Sequence, residues 1–282
     1  MPDETIGILH PGEMGITLAA TIRNSGYPVF WASEGRSPQT RQRAERLDLE
    51  DLGSLQKLCE TCSILVSICP PAAAEDLAHQ VRLANFPGLY LDANAISPQK
   101  ARRIASIIAG NGASFVDGSI IGPPALQPDT TWLYLSGEQA SRLAACFLAG
   151  PLQARLLGDA PGAASALKMC YAAYTKGTTA LLSAILAAAE SFDVRQALTD
   201  QWALDDPDFS ERTSHRIGRS AKKAWRFIGE MEEIASTFES AGLPGGFHRA
   251  AAEIYQRTAR YKDQPAPTLE EILQAVLGNV PR

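Results

Sequence analysis

The residues with the clearest chemical meaning lie in a glycine turn near the N-terminus. An apolar run ends at His10, and Gly12 and Gly15 then lead directly into a helical segment at residues 16–24. A helix N-terminus presents unpaired N–H groups and a partial positive charge, which suit a pyrophosphate. Gly12 allows the backbone to approach the phosphates, and Gly15 allows the helix to lie close to the strand. We therefore predict a dinucleotide-binding turn made by His10, Pro11, Gly12, Glu13, Met14 and Gly15.

The fingerprint of this turn is incomplete, because His10 stands where the first glycine of the GxGxxG pattern is expected. A glycine turn without a ligand is the alternative interpretation. The alternation of elements that follows favours the binding site, since dinucleotides bind where a strand, a turn and a helix follow one another.

The first half of the chain alternates apolar runs with amphipathic segments. We predict strands at residues 27–33, 63–69, 89–92, 114–117 and 131–136. Helices are predicted between them at residues 39–46, 55–61, 72–83 and 98–109, the last of these capped by Ser97. This alternation predicts an α/β fold with a Rossmann-type, doubly wound and mostly parallel sheet.

After Gly150 and Pro151 the pattern becomes helical only. A long Ala-rich segment at residues 162–192 is followed by predicted helices at 221–241, 248–260 and 269–277. We therefore predict a dinucleotide-binding domain at residues 1–160. An all-helical substrate and dimerisation domain at residues 161–282 follows, and the long helix links the two.

The composition of the chain indicates which kinds of molecule it binds. The net charge of -5 argues against nucleic acid or an anionic membrane surface, and the polar, acidic first residues are unlike a signal peptide. The longest apolar stretch, residues 178–189, is too short to span a bilayer. We expect a soluble, cytoplasmic protein with a small-molecule partner. Cys59 and Cys62 have CxxC spacing, but no second pair completes a metal set, so we expect no metal.

Three loops should meet the glycine turn at the carboxyl ends of the strands. Cys69, Pro70 and Asn94 in two of these loops are predicted to line the cofactor. In the third loop Ser33 fills the position where a carboxylate would hold the ribose of NAD, and Arg36 and Ser37 follow. Because arginine can form a forked pair with a 2′-phosphate, we favour NADP(H) over NAD(H). Glu34 keeps NAD possible.

Four motifs occur in an order typical of one family. They are GILHPGEMG at residues 7–15, DGSIIGPP at 117–124, GAASALKMC at 162–170 and KAWRFIGEMEEI at 223–234. With these motifs the chain resembles the β-hydroxyacid dehydrogenase superfamily, which includes 3-hydroxyisobutyrate and 6-phosphogluconate dehydrogenases. The resemblance covers nearly the whole chain and is greatest to the branch with a 6-phosphogluconate dehydrogenase-like helical C-terminal domain.

The resemblance implies that Lys168 is the catalytic general acid/base. Lys168 is the only charged residue between Asp159 and Lys176. An ammonium in such apolar surroundings has a lowered pKa and can exchange a proton with a substrate. A lysine that extends from an amphipathic helix into solvent is the alternative.

The departures from the family pattern concern the substrate. Ile121, Gly122 and Pro123 replace the usual Ser-Gly-Gly, so donors for a carboxylate are lost. We expect Ser119 to compensate for them in part. We predict Ser119, Gly122, Tyr171 and Lys176 as substrate residues. Tyr171 or Ala172 replaces the family's asparagine, and Glu232–Glu233 replaces Lys-Asp, so the predicted pocket is larger and less anionic.

These observations predict an NADP-dependent oxidoreductase that interconverts a hydroxyl and a carbonyl group, with Lys168 as general acid/base. An imine reductase and a decarboxylating dehydrogenase remain open within the same class. A non-catalytic NADPH-binding sensor is the alternative from another class. The nearly uncharged residues 178–189 imply burial on every side, and we predict a homodimer formed through residues from about 165 to 260.

Overall fold

A computed structural model describes residues 4–278 of the chain. Their contacts form two compact units, one ending at Lys168 and the other beginning at Met169. The first unit contains the sheet and the second is helical. The strands are β1 (Ile6–Ile8), β2 (Val29–Trp31), β3 (Glu50–Asp51), β4 (Ile64–Ser67), β5 (Leu89–Asp92), β6 (Ser114–Ile121), β7 (Thr131–Ser136) and β8 (Leu152–Leu156).

The strands of the first unit form one sheet with the order β3-β2-β1-β4-β5-β6-β7-β8. The part from β3 to β6 is parallel, whereas β7 pairs with β6 in the antiparallel direction. The order β3-β2-β1-β4-β5-β6 is that of doubly wound dinucleotide-binding sheets, and its switch point lies between β1 and β4. The predicted fold class is therefore confirmed.

The helices of this unit cover both faces of the sheet. Alternate strand residues point to opposite faces. Ile6 and Ile64 accordingly belong to one core, and Leu65 and Tyr90 belong to the other. The helices are α1 (Gly15–Asn24), α2 (Pro38–Arg46), α3 (Leu55–Thr61), α4 (Ala74–Leu83), α5 (Pro98–Ala109) and α6 (Ala140–Ala144).

Several elements of the first unit differ from the sequence prediction. The short edge strand β3, the helix α6 and the strand β8 were not predicted. β6 continues to Ile121 instead of ending at residue 117, and the first residues of the helix predicted at 72–83 form a 3₁₀ turn. The prediction for α5 is confirmed, and Ser97 caps it by accepting a hydrogen bond from the Lys100 N–H at 3.4 Å.

The second unit is helical, as predicted, but the long segment at residues 162–192 is not one regular helix. A π-helical turn, Ala173–Gly177, separates α7 from α8. The predicted helix at 221–241 begins later, at Ala224, because Ala221 ends α10. α9 and α10 lie in the part predicted to be helical without bounds for these two helices. The helices are α7 (Ala163–Ala172), α8 (Thr178–Ser191), α9 (Arg195–Asp205), α10 (Phe209–Ala221), α11 (Ala224–Ser240), α12 (Gly246–Thr258) and α13 (Leu269–Leu277).

Among the helices within residues 4–278, none combines the length and the apolar character needed to cross a membrane.

Candidate cofactor-binding and catalytic site

The parallel strands β2, β1, β4, β5 and β6 end at the same edge of the sheet. Doubly wound folds bind ligands at this carboxyl edge. The residues predicted to bind the cofactor follow β1, β2, β4 and β5, and Gly122 follows β6. The fold thus brings the predicted cofactor loops and the predicted substrate loop to one edge of the first unit.

The turn between β1 and α1 has a close backbone approach at Gly15 and open space at Gly12. A Cβ atom on Gly15 would lie 2.1 Å from the carbonyl oxygen of His10, so a larger residue does not fit. A Cβ atom on Gly12 would have no heavy atom within 4 Å. Among the described residues no side chain caps α1, and its first turn has no acidic residue. Its positive end is therefore available to a phosphate.

The loop after β2 is fixed by its neighbours on both sides. Asp51 accepts hydrogen bonds from the Ser33 N–H at 3.0 Å and the Gly53 N–H at 2.8 Å. Arg41 donates to the Ser33 carbonyl at 2.7 Å. The Ser37 hydroxyl accepts from the Thr40 N–H at 3.3 Å and caps α2. Ser33 and Ser37 therefore help to shape this loop.

Arg36 and His10 each contain a buried nitrogen, Arg36 Nε and His10 Nδ1, without a hydrogen-bond partner in the described part of the chain. Burial, and then the charge of Arg36, lowers the pKa of His10 to about 4, so its imidazole is neutral at neutral pH. Burial also lowers the pKa of Arg36. Arg36 and Glu34 line a cavity of about 180 Å³ together with Leu9 and Ala32. The unpartnered guanidinium nitrogen of Arg36 beside this cavity suits an anionic ligand.

Asn94 joins the loops that follow β4 and β5. Its Oδ1 accepts from the Cys69 N–H at 2.5 Å, and its Nδ2 donates to Ser67 Oγ and Asp92 Oδ2, both at 3.0 Å. Both the oxygen and the nitrogen of the side-chain amide are therefore hydrogen-bonded within the protein, and Asn94 is buried. The side chain of Asn94 holds the Cys69–Pro70 loop in place, and its contact with the cofactor stays a prediction.

Two side chains near Asn94, those of Asp92 and Cys69, have pKa values that are raised by burial. Burial raises the pKa of Asp92 to about 7, against the hydrogen bonds that it accepts from Asn94. Burial raises the pKa of the Cys69 thiol to about 12, which keeps it protonated. Both groups lie in an environment of low polarity at the carboxyl edge.

Lys168 lies at the end of the first unit, on α7. Its Nζ donates a hydrogen bond to the carbonyl oxygen of Ile120 at 2.6 Å, and the residue is partly buried. Ile120 is the penultimate residue of β6. The ammonium of Lys168 therefore lies at the carboxyl edge of the sheet, to which the glycine turn also belongs.

The predicted substrate residues of the first unit differ in their exposure. Gly122 is exposed at the start of the loop after β6, and its φ of 133° favours glycine. Ser119 is 0% exposed, and its hydroxyl has no partner among the described residues. Gly122 is therefore open to solvent, whereas the hydroxyl of Ser119 is enclosed by the protein.

The predicted substrate residues of the second unit also differ. Tyr171 is exposed. Lys176 lies in the π-helical turn, forms an ion pair with Glu230, and its Nζ lies 4.7 Å from the centre of the Phe227 ring. The charge of Lys176 is therefore neutralised within the second unit.

One charged residue at the carboxyl edge was not recognised from the sequence. Asp117 on β6 is buried and accepts hydrogen bonds from Gly162, Ser165 and Ser136. A carboxylate between apolar strand residues was a usable signal, because a buried charge requires partners. Its partners could not be assigned from the sequence, since Gly162 and Ser165 are distant along the chain.

Comparisons with known proteins agree with this architecture. Residues 189–258 match a family model described as a domain of unknown function, DUF1932. An uncharacterised 28.5 kDa protein of Methanothermus fervidus is 28% identical over 196 residues, which are 69% of this chain and 74% of that protein.

Solved structures match over most of the chain. The conserved protein MTH1747, of unknown function and described as similar to 3-hydroxyacid dehydrogenases, has a TM-score of 0.67 and 28% identity, covering 90% of this chain and 99% of its own. Mycobacterium tuberculosis 3-hydroxyisobutyrate dehydrogenase has a TM-score of 0.71 and 18% identity, and the match covers 97% of this chain and 99% of that protein. An Aspergillus terreus reductive aminase in complex with NADPH and ethyl levulinate has a TM-score of 0.54 and 16% identity, covering 97% of this chain and 99% of its own.

The fold of the chain is that of 3-hydroxyisobutyrate dehydrogenase-like β-hydroxyacid dehydrogenases. The resemblance inferred from the four sequence motifs is confirmed at the level of the fold by the matches to solved structures.

Proposed function

We propose that this protein is a nicotinamide-dependent oxidoreductase that favours NADP(H) and interconverts a hydroxyl and a carbonyl group of a small molecule. The observation that carries the proposal is the position of Lys168. Its ammonium is held at the Ile120 carbonyl, at the edge of the sheet to which the glycine turn belongs. The similarity of the fold to dehydrogenases and reductases supports the class of reaction.

The residues of the first unit fit a dinucleotide. Gly12 leaves space above the turn, and Gly15 permits the close approach of α1. Arg36 and His10 offer buried nitrogens without protein partners in the described part of the chain. When bound, the cofactor supplies or accepts a hydride at the substrate carbon. Arg36 would hold the 2′-phosphate of NADP(H) by charge-assisted hydrogen bonds.

Lys168 is the proposed general acid/base. In the direction of reduction its ammonium gives a proton to the substrate oxygen as the carbonyl carbon is reduced, and a neutral amine remains. In the direction of oxidation the amine takes the proton from the hydroxyl. The hydrogen bond to Ile120 fixes the direction of the Lys168 side chain.

The two units suggest a division of roles. We assign cofactor binding to the sheet-containing part, predicted at residues 1–160, and substrate binding and dimerisation to the helical part, predicted at 161–282. Gly122 and Tyr171 are exposed and suit contact with a substrate. Ser119 and Lys176 suit this role less well, because Ser119 is buried and Lys176 is paired with Glu230.

The test is NADPH oxidation with a panel of aldehydes, ketones and keto acids, each with and without an amine. We expect Lys168→Met to lower turnover by at least about 100-fold, the usual effect of losing a general acid, without weakening cofactor binding. Lys168→Arg should restore little, because arginine does not release its proton. Lys57→Met on the exposed surface of α3 serves as the matched control.

Other results of these assays would favour one of the alternative functions. Turnover only with a ketone and an amine together would favour an imine reductase. Tight NADPH binding without turnover on any compound would favour a cofactor-binding sensor. Full activity of Lys168→Met would exclude the proposed role of Lys168.

A further inference from the structure

The N-terminus of α7 is held by side chains from the sheet. The first N–H groups of a helix have no partner within the helix. In α7, the N–H groups of Gly162 and Ser165 donate to Asp117 Oδ2 at 3.0 and 2.9 Å. The Ala164 N–H donates to Ser136 Oγ at 3.1 Å. Gly162, directly before the helix, has no side chain with which to cap it, so these strand residues take the place of a cap.

The Asp117 carboxylate makes further contacts in the same place. It accepts from the Ser165 hydroxyl at 2.6 Å on Oδ1 and from the Ser136 hydroxyl at 3.1 Å on Oδ2. The residue is 0% exposed, and burial raises its pKa against the effect of these hydrogen bonds. A negative charge at a helix N-terminus is favourable. Each of these bonds goes to the start of α7 or to Ser136, which binds the same turn.

The strand that carries Asp117 also contacts Lys168. Ile120, three residues after Asp117 on β6, accepts the hydrogen bond from Lys168 Nζ. Ser165 and Lys168 are three residues apart on α7 and so lie on neighbouring positions of one helix face. The helix is thus attached to β6 at two points, the Asp117 carboxylate and the Ile120 carbonyl.

We propose that Asp117 is a positioning residue: its buried carboxylate fixes the start of α7 on β6 and thereby sets the place of the Lys168 ammonium. This inference rests on the proposed role of Lys168 in catalysis. Without the carboxylate, the first turn of α7 loses its acceptor and can shift along the strand. A displacement of about 1 Å can lower a rate by about 100-fold, so the effect should appear in turnover.

The kinetic test uses Asp117→Ala and Asp117→Asn. The alanine variant should lower kcat by at least about tenfold and leave the NADPH dissociation constant within about twofold. The asparagine variant should lose less, because its amide oxygen can accept from Gly162 and Ser165 while its NH2 group faces Ser165 Oγ. Glu4→Gln is the matched control, since this carboxylate also binds a serine hydroxyl, that of Ser63, in the same unit.

A double-variant comparison separates positioning from general stability. In the Lys168→Met background, Asp117→Ala should lower kcat no further, because Asp117 acts through Lys168. If the two effects multiply instead, the inference is wrong. Unchanged kcat in a folded Asp117→Ala protein would also overturn it. If that variant does not fold, the same comparison is made with Asp117→Asn and with Ser136→Ala, each with and without Lys168→Met.

A second measurement does not depend on turnover. Lysines labelled by reductive ¹³C-methylation report on each amine by NMR, and the Lys168 resonance is the one missing in Lys168→Arg. We expect Asp117→Asn to change the chemical shift and the titration midpoint of this resonance, whereas Glu4→Gln leaves both unchanged. An unchanged resonance would overturn the inference. Full activity of Lys168→Met would instead overturn the proposed function, while the NMR result would still decide whether Asp117 positions Lys168.

Discussion

At the scale of single residues, the choice of cofactor depends on the loop after β2. Arg36 lies partly buried with an unpartnered Nε in the described structure, whereas Glu34 is exposed. We expect Arg36→Ala to weaken NADPH binding by about 10- to 100-fold, since a hydrogen bond to a charged group contributes about 1.5–3 kcal/mol. NADH binding should change little. Titration of tryptophan fluorescence with each cofactor measures both affinities.

The control for this prediction is Arg46→Ala, which removes an exposed arginine from the end of α2. Equal affinities of the parent protein for NADPH and NADH would contradict the expectation. Glu34 would then be the ribose ligand, and Glu34→Ala should weaken NADH binding.

Sequence patterns indicated some site residues and could not indicate others. Gly12 and Gly15 were recognisable because a glycine turn that leads into a helix has a fixed spacing, and at Gly15 the close approach of the His10 carbonyl excludes any side chain. The structural part played by Asn94 was not recognisable, because Ser67 and Asp92 become its partners only when β4 and β5 pair. Asp117 was missed for the same reason. Pairing between distant segments decides whether a polar side chain faces a ligand or the protein.

At the scale of elements, the π-helical turn between α7 and α8 depends on side chains from other helices. Arg216 on α10 donates to the carbonyl of Thr175 and to Thr179 Oγ1. Tyr255 on α12 donates to the carbonyl of Lys176 at 2.7 Å. These bonds satisfy carbonyl groups at a place where the regular helical pattern is interrupted.

We expect Arg216→Ala to lower the free energy of unfolding by about 2 kcal/mol, because it removes charge-assisted hydrogen bonds from a partly buried place. Urea unfolding followed by circular dichroism measures the loss. Arg219→Ala, three residues further on α10 and exposed, should have little effect. Equal stability of the two variants would show that the turn does not need Arg216.

The elements that could be predicted are those with strong local signals. α5 has a serine cap, a proline at its first position and an amphipathic pattern, and its bounds agree with the prediction. β8 follows Gly150 and Pro151, carries Gln153 and Arg155, and pairs with β7 alone. Its sequence resembles a loop, and only pairing with β7 makes it a strand. The break between α10 and α11 at Lys222 and Lys223 has no glycine or proline to indicate it.

At the scale of the whole molecule, the predicted homodimer needs apolar surface on the second unit. Leu181 on α8 is 43% exposed, and Phe192, directly after that helix, is 76% exposed. Exposed large apolar side chains close together in the chain suit an interface. We therefore expect light scattering at micromolar concentration to give twice the chain mass of 30.2 kDa.

The variant that tests this interface is Leu181→Glu combined with Phe192→Glu, which should give a monomer because charges are costly in an apolar interface. Leu83→Glu changes an equally apolar side chain that is exposed on the first unit, and it should leave the dimer intact. A monomeric parent protein would exclude the predicted assembly.

The connection between β6 and β7 has a consequence for how substrate preference could be re-engineered. Gly122 begins this loop, and a Cβ atom there would lie 2.3 Å from the carbonyl oxygen of Thr130. The two ends of the loop are therefore in close contact. Between them, Leu126 is 79% exposed. A one-residue insertion between Asp117 and Ile120 on β6 would turn one of these two residues to the other face of the sheet relative to the other. Ala125 is buried in the core, but insertions between residues 126 and 129 leave both Ala125 and that register intact, so this part of the loop can be exchanged while the strand beneath it stays fixed.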